Sequence, residues 1–288
     1  MDPAAFHPLA QFATLADVTY PDGEGQLLAV VILAVVQGLT EFLPVSSSGH
    51  LVLGREALGL HAIEGAVITI ALHVGTLIAV LAVYGRDLLG VLRDAISGRP
   101  RDLGMILLGS VPAAVVGIGA GDALDGIFDS PVLAASGLLV TALILITGDV
   151  FRKRRELIGM PEEELGLNVG VWAALFIGTF QALAILPGIS RSGATICAAL
   201  MVGLSAPRAA RYSFLLSLVS VGGAALLEFS DVEQIDGRTM IDLGIGVAVS
   251  AAVGLLALRL LLVALRRGSF PWFAAYCATI SALWFALG

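Results

Sequence analysis

Charge is the first thing this chain lacks. Only 14% of its 288 residues are Asp, Glu, Lys or Arg, where a soluble domain of ordinary composition carries about a quarter. Hydrophobic residues make up 58% and the mean hydropathy is +0.95, so the chain reads as an integral membrane protein with several spans. No basic stripe with interleaved aromatics is present, which argues against nucleic acid as a partner. Cysteine is scarce too: Cys197 and Cys277 both lie in apolar segments, without C-x-x-C spacing. That excludes a disulfide framework or thiolate metal site, and both read as small buried packing residues. The N-terminus has no basic stretch followed by an apolar core, so a cleaved signal peptide is not expected. Residues 1–25, with Asp2, Asp17, Asp22 and Glu24, read instead as a polar extension ahead of one membrane domain over 26–288. The net charge of −7 says little about partners, because the charges are confined to loops.

Apolar runs fall at 27–43, 47–59, 63–84, 104–121, 131–148, 168–187, 191–204, 208–228, 241–265 and 270–287. Six can cross a hydrocarbon layer of about 30 Å at 1.5 Å per helical residue. The second and seventh are too short, and the second contains Arg55 and Glu56. The first and sixth end at Pro44 and Pro187, where the ring removes a backbone donor and stops a helix. Each helix, polar break and short returning helix is expected to form a re-entrant hairpin.

The order of segments repeats. "QGLTEFLPVSSSG" (37–49) aligns with "QALAILPGISRSG" (181–193), matching Gln37 to Gln181, Ser46 to Ser190 and Gly49 to Gly193 at an offset of 144 residues. The following spans keep similar offsets, which divides the domain into halves of about 26–148 and 166–288. Three crossings per half place the second upside down relative to the first. The expected fold is therefore an all-α, inverted-topology repeat of six transmembrane helices and two re-entrant helical hairpins.

With six spans, Arg86, Arg93, Arg99 and Arg101 share one loop with the sidedness of a second containing Arg152, Lys153, Arg154 and Arg155. Arg208, Arg211, Arg266 and Arg267 fall on that side also, which the positive-inside rule makes cytoplasmic. The opposite loops are acidic: Asp122, Asp125 and Asp129, then Glu228, Asp231, Glu233 and Asp236. Both termini are expected outside, with the first hairpin entering from the external face and the second from the cytoplasm. Because the first hairpin carries Glu41, Ser47 and His50, the pocket is expected to open externally.

Non-helical backbone survives at membrane depth only where protein or a water-filled cavity satisfies it, so both breaks should meet in a polar pocket. Ser46 and Ser190 suit N-caps of the returning helices. Exposed amides at a helix N-terminus form an anion site, and Gly49, Gly188 and Gly193 allow close approach to the backbone. Ser48, Ser192 and Thr195 add hydroxyls near the same turns, although small residues in membrane helices usually serve close packing. Arg191 supplies a planar fork suited to phosphate oxygens. Phosphate is the anion this geometry fits best.

Glu41 and His50 turn binding toward chemistry. A carboxylate repels an anion unless a cation bridges them or it handles a proton. Gln37 and Glu41 share one helix face at i, i+4, so Glu41 could hold Mg²⁺ or Ca²⁺ with Gln37 as a neutral ligand. His50 can serve as acid, base or phosphate acceptor, and Ser47 as nucleophile or donor. The plainer readings are a Glu41–Arg191 ion pair and a satisfied core histidine at position 50; ionisable groups within a membrane are functional by default. His73 reads as packing or as support behind the site, and His7 and His61 as solvated. The "RKRR" run at 152–155 is a topology signal, with phospholipid contact the weaker reading.

"EFLPVSSSGH" with "LPGISRSGAT" resembles the undecaprenyl-diphosphate phosphatase family of the bacitracin-resistance type, from about residue 26 to the C-terminus. The resemblance implies dephosphorylation of a C55 polyprenyl diphosphate to the monophosphate carrier used in envelope glycan synthesis. It also implies a plasma-membrane location, a divalent cation, and functional positions at Gln37, Glu41, Ser47 and His50, then Ser190, Arg191 and Thr195. Many members carry glutamate where this chain has Gln37, which implies a changed metal environment. The polar N-terminal extension is also unusual for the family.

Type-2 phosphatidic acid phosphatases also use S-G-H and S-R motifs, but need a histidine shortly after S-R. No histidine follows His73 here, which excludes that class. An inverted-repeat transporter or flippase of an anionic lipid or small anion is the remaining alternative, and Glu41 and His50 weigh against it. Whether Ser47, His50 or a water attacks phosphorus is open at this level, as is homo-oligomerisation.

Overall fold

In hydrocarbon the backbone must satisfy its own hydrogen bonds, which leaves helices or a closed barrel. The computed structural model of the protein describes residues 24–58, 66–120, 130–159, 167–229 and 237–287, and takes the first solution: ten helices and no strand among the described residues. They are α1 (Glu24–Phe42), α2 (Ser47–Leu58), α3 (Ala66–Ile96), α4 (Arg101–Ala120), α5 (Pro131–Leu157), α6 (Val171–Leu183), α7 (Arg191–Met201), α8 (Ala206–Phe229), α9 (Gly237–Arg266) and α10 (Phe270–Leu287). Residues 1–23 of the polar extension, His7, His61 and the acidic residues Asp122, Asp125, Asp129, Asp231, Glu233 and Asp236 lie outside the described residues, while Glu24 and Glu228 fall within α1 and α8.

Six helices are long and apolar enough to cross a membrane: α3, α4, α5, α8, α9 and α10. The apolar stretches of α1 and α6 are shorter, Leu27–Phe42 and Val171–Leu183. The protein is a multi-pass membrane protein. Both short helices stop where the sequence places a break. After α1 the chain turns through Pro44, and Ser46 takes a left-handed conformation at φ 68° before α2 starts. After α6 it makes successive tight turns, and Gly188 takes φ 84° before α7 starts.

Small residues let the helices close on one another, as membrane interfaces require. Gly38 and Gly75 lie against the α9 backbone, where an added methyl would stand 2.9 Å from the Ser250 carbonyl and 2.5 Å from that of Val247 respectively. Ser250 seals the contact by donating to the Leu72 carbonyl at 2.9 Å. Gly178 of α6 similarly abuts the Gly109 carbonyl of α4. Phe42 at the end of α1 packs edge-on to Phe214 of α8, which stacks on Tyr84 of α3. Cys197 and Cys277 are free and buried, and Gly148 of α5 sits on Cys197.

The basic segments are not loops. Arg86 and Arg93 extend α3, and Arg152–Arg155 form its counterpart at the end of α5. Long charged side chains are good helix formers, and their i, i+3 and i, i+4 partners keep the helix going past the apolar stretch. Asp149 takes Arg152 at 2.7 Å and Lys153 at 2.8 Å, and Arg152 also reaches Glu156 at 2.6 Å. These ends gather at one end of the bundle. Arg211 pairs with Asp87 at 2.7 Å, Arg155 donates to the Gly203 carbonyl, and Gly268 lies against the Arg152 guanidinium.

Candidate active site

The two breaks meet. A methyl group on Gly49 would stand 2.9 Å from Cα of Gly188, and one on Gly193 would stand 3.1 Å from Cβ of Pro44. Ser192 also donates weakly to the Leu43 carbonyl, at 3.4 Å. Each returning helix starts with the same cap. Ser46 Oγ accepts from the Gly49 amide at 3.2 Å, and Ser190 Oγ from the Gly193 amide at 3.1 Å. Each cap hydroxyl also pairs with the serine two residues on, Ser48 and Ser192 respectively, both at 3.2 Å. The caps answer one amide of each first turn and leave the earlier ones directed outward from the helix end.

Glu41 holds the centre. Arg191 Nη2, from the other break, donates to its Oε1 at 2.5 Å. Its Oε2 accepts from Ser47 Oγ at 2.7 Å and from Gln37 Nε2 at 3.0 Å. His73 on α3 brings Nε2 to 3.8 Å of the same oxygen while its Nδ1 donates to the Thr69 carbonyl. Two buried polar atoms around this carboxylate have no hydrogen-bond partner: Gln37 Oε1 and Arg191 Nη1. An unanswered acceptor and an unanswered guanidinium nitrogen are the complement of a ligand that carries a cation and anionic oxygens together.

His50 is turned elsewhere. Its Nδ1 lies 2.8 Å from the Ser46 carbonyl, which can only accept, so that nitrogen carries the proton. Nε2 is then an acceptor, and it receives the Tyr276 hydroxyl of α10 at 2.8 Å. The Ser47 hydroxyl donates to Glu41, while the His50 imidazole is engaged at both nitrogens. The Ser46 carbonyl ties the imidazole back to the residue that starts its own helix.

Among the other expected binding residues, Gly188 and Ser190 line the second break under a brace from α5. Thr141 Oγ1 donates to the Gly188 carbonyl at 2.7 Å and accepts from the Ser190 amide at 2.9 Å. Thr195 is fully buried and its hydroxyl is committed to the Arg191 carbonyl and to Ser213, at 2.8 and 2.6 Å. These bonds seat α7 on α8. Three supporting residues escape a reading of motifs: Thr141, Ser213 and Tyr276. Each is a polar side chain set among apolar residues in a membrane helix, which is the one signal they carry.

Among the described residues no three of His, Cys, Asp and Glu cluster as a metal site. A cation here would have Glu41 and the Gln37 Oε1 from the protein and take the rest of its oxygens from phosphate and water. That sparse set suits Mg²⁺, which keeps waters and is commonly held by one or two carboxylates plus substrate phosphates.

The two capped helix starts, the unanswered arginine nitrogen and the hydroxyl bonded to a carboxylate make this the candidate site of the membrane bundle. The chain belongs to the family described as bacitracin resistance protein BacA, whose profile matches residues 30–283. It is 42% identical over 274 residues to a protein of Desulfatibacillum aliphaticivorans named undecaprenyl-diphosphatase, covering 88% of this chain and 96% of that one. Proteins of the same name from Rhodopirellula baltica and Methanosphaera stadtmanae are 39% and 34% identical, over 88% of this chain and 94% and 95% of theirs.

Proposed function

We propose that this protein hydrolyses undecaprenyl or a similar polyprenyl diphosphate to the monophosphate and inorganic phosphate, returning the lipid carrier to envelope glycan synthesis. The chain of bonds from Ser47 to Glu41 to Arg191, joining the two breaks, carries the reading. The names of the relatives favour it over a transporter. The two helix–break–helix units serve as re-entrant hairpins of an inverted repeat, supported by their matching caps and 144-residue offset. The basic end of the bundle faces the cytoplasm, both termini lie outside, and the pocket opens externally.

In this mechanism Arg191 turns its free Nη1, and the first-turn amides of α2 and α7 their N–H groups, toward the phosphate oxygens. The prenyl chain stays in the bilayer. Ser47 Oγ attacks the terminal phosphorus as Glu41 takes its proton; the bridging P–O bond breaks and the lipid monophosphate leaves. Water then hydrolyses the phosphoserine, with His50 Nε2 accepting the proton. Gln37 Oε1 and Glu41 would hold a divalent cation, Mg²⁺ or Ca²⁺, whose charge would offset that of the diphosphate.

Release of inorganic phosphate from polyprenyl diphosphate by the purified protein tests the activity. Loss of that release in Ser47→Ala, with a phosphorylated Ser47 peptide accumulating in His50→Asn, tests the roles. A Ser47→Ala protein that keeps wild-type turnover assigns the attack to water and overturns this assignment. Glu41→Gln should lose turnover and respond far less to added Mg²⁺; an active variant with unchanged metal dependence removes both roles of Glu41. A cysteine at position 48, in a background lacking Cys197 and Cys277, should react with an impermeant thiol reagent outside intact cells. Labelling from the cytoplasmic side alone reverses the orientation.

A further inference from the structure

We infer that Tyr276 is a positioning residue for the reaction, its hydroxyl holding the His50 imidazole in one tautomer and one orientation. The inference rests on the role given to His50 above.

Tyr276 stands in a helix whose other residues are almost all apolar, 226 positions from the histidine it meets. The neighbouring Cys277 is fully buried, with its sulfur 3.8 Å from the Pro44 carbonyl, so this face of α10 is seated against the first break. That seat delivers the next side chain to His50. A phenol hydroxyl facing lipid is costly unless it finds an acceptor, and the acceptor here is Nε2 at 2.8 Å.

The imidazole is therefore held at both nitrogens. At one end the Nδ1 proton goes to the carbonyl of Ser46, whose hydroxyl caps the same helix. At the other the Tyr276 proton points at the Nε2 lone pair. Together they leave Nε2 unprotonated and fixed in space, which is the state a proton acceptor needs before water arrives. The rings are parallel, 5.5 Å between centroids, so a phenylalanine keeps the ring contact and removes only the donor.

The test compares Tyr276→Phe, His50→Asn and the double variant for phosphate release from polyprenyl diphosphate. Removing one neutral hydrogen bond should lower kcat about tenfold, with KM within about twofold and an unchanged melting temperature. In the His50→Asn background the tyrosine substitution should have no further effect, because its contribution passes through the imidazole. Diethyl pyrocarbonate, followed by mass spectrometry of the His50 peptide, gives a readout independent of turnover: Tyr276→Phe should modify His50 several-fold faster. Wild-type kcat in Tyr276→Phe, additive losses in the double variant, or an unchanged modification rate each overturn the inference. A fully active His50→Asn overturns the role of His50 itself, and so distinguishes that failure from this one.

Discussion

Ser46 starts α2 and Ser190 starts α7 with the same cap, to Gly49 and Gly193 respectively. Around those caps the two breaks differ in burial. In the second, Ser190, Ser192, Gly193 and Thr195 are all buried and Thr141 braces the backbone from α5. In the first, Ser47, Ser48 and His50 are only half-buried. Under the proposed mechanism the groups that meet substrate and water sit on the more accessible break, and the arginine is mounted on the more buried one. The shared cap carries different chemistry and a different backbone: 144 residues on, Glu41 has Ile185 and His50 has Ala194, and Ser46 sits at φ 68° where Ser190 sits at φ −69°.

The largest effect that would break this comparison is at Gly188. Its φ of 84° disfavours any L side chain, and an added Cβ would stand 2.0 Å from the Ala134 carbonyl. Gly188→Ala should cost more than about 3 kcal/mol and leave little folded protein after detergent extraction, measured by size-exclusion chromatography. A well-folded Gly188→Ala protein would mean that the second break is no more rigid than the first.

Arg191→Lys comes next. Lysine keeps the charge toward Glu41 but not the second prong that Nη1 offers, so turnover should fall by roughly 10²–10³-fold with the fold intact. Near wild-type turnover would make Arg191 an ion-pair partner of Glu41 and nothing more.

The smallest effect sharpens the likeness of the two breaks. Ser46→Ala and Ser190→Ala each remove one side-chain cap, and each should cost about 1 kcal/mol, read as similar drops in melting temperature in detergent. Ser46→Ala keeps the backbone carbonyl that receives the His50 proton, so turnover should fall no further than stability in either variant.

Much of this protein is written in local sequence. Hydropathy selects the six spanning helices, because burying polar backbone in lipid forces long apolar helices and nothing shorter will do. Pro44, Gly188 and the serines mark both breaks and both caps, since those conformations depend on the residue itself and its nearest neighbours. Gln37 and Glu41 share a helix face, so their contact follows from spacing, whereas the bond from Ser47 to Glu41 does not. The helical run through Arg152–Arg155 could not be anticipated, because hydropathy reports where lipid ends and not where a helix does. Other decisions belong to tertiary structure alone. Thr141 closes on the second break and Tyr276 on His50 across 226 residues, and the Glu41–Arg191 pair that the sequence only allows is made across 150. No periodicity encodes those distances; they exist only because helix packing brings α5, α7 and α10 to the same place. That packing turns His50 toward Tyr276 and leaves Glu41 to receive the Ser47 hydroxyl.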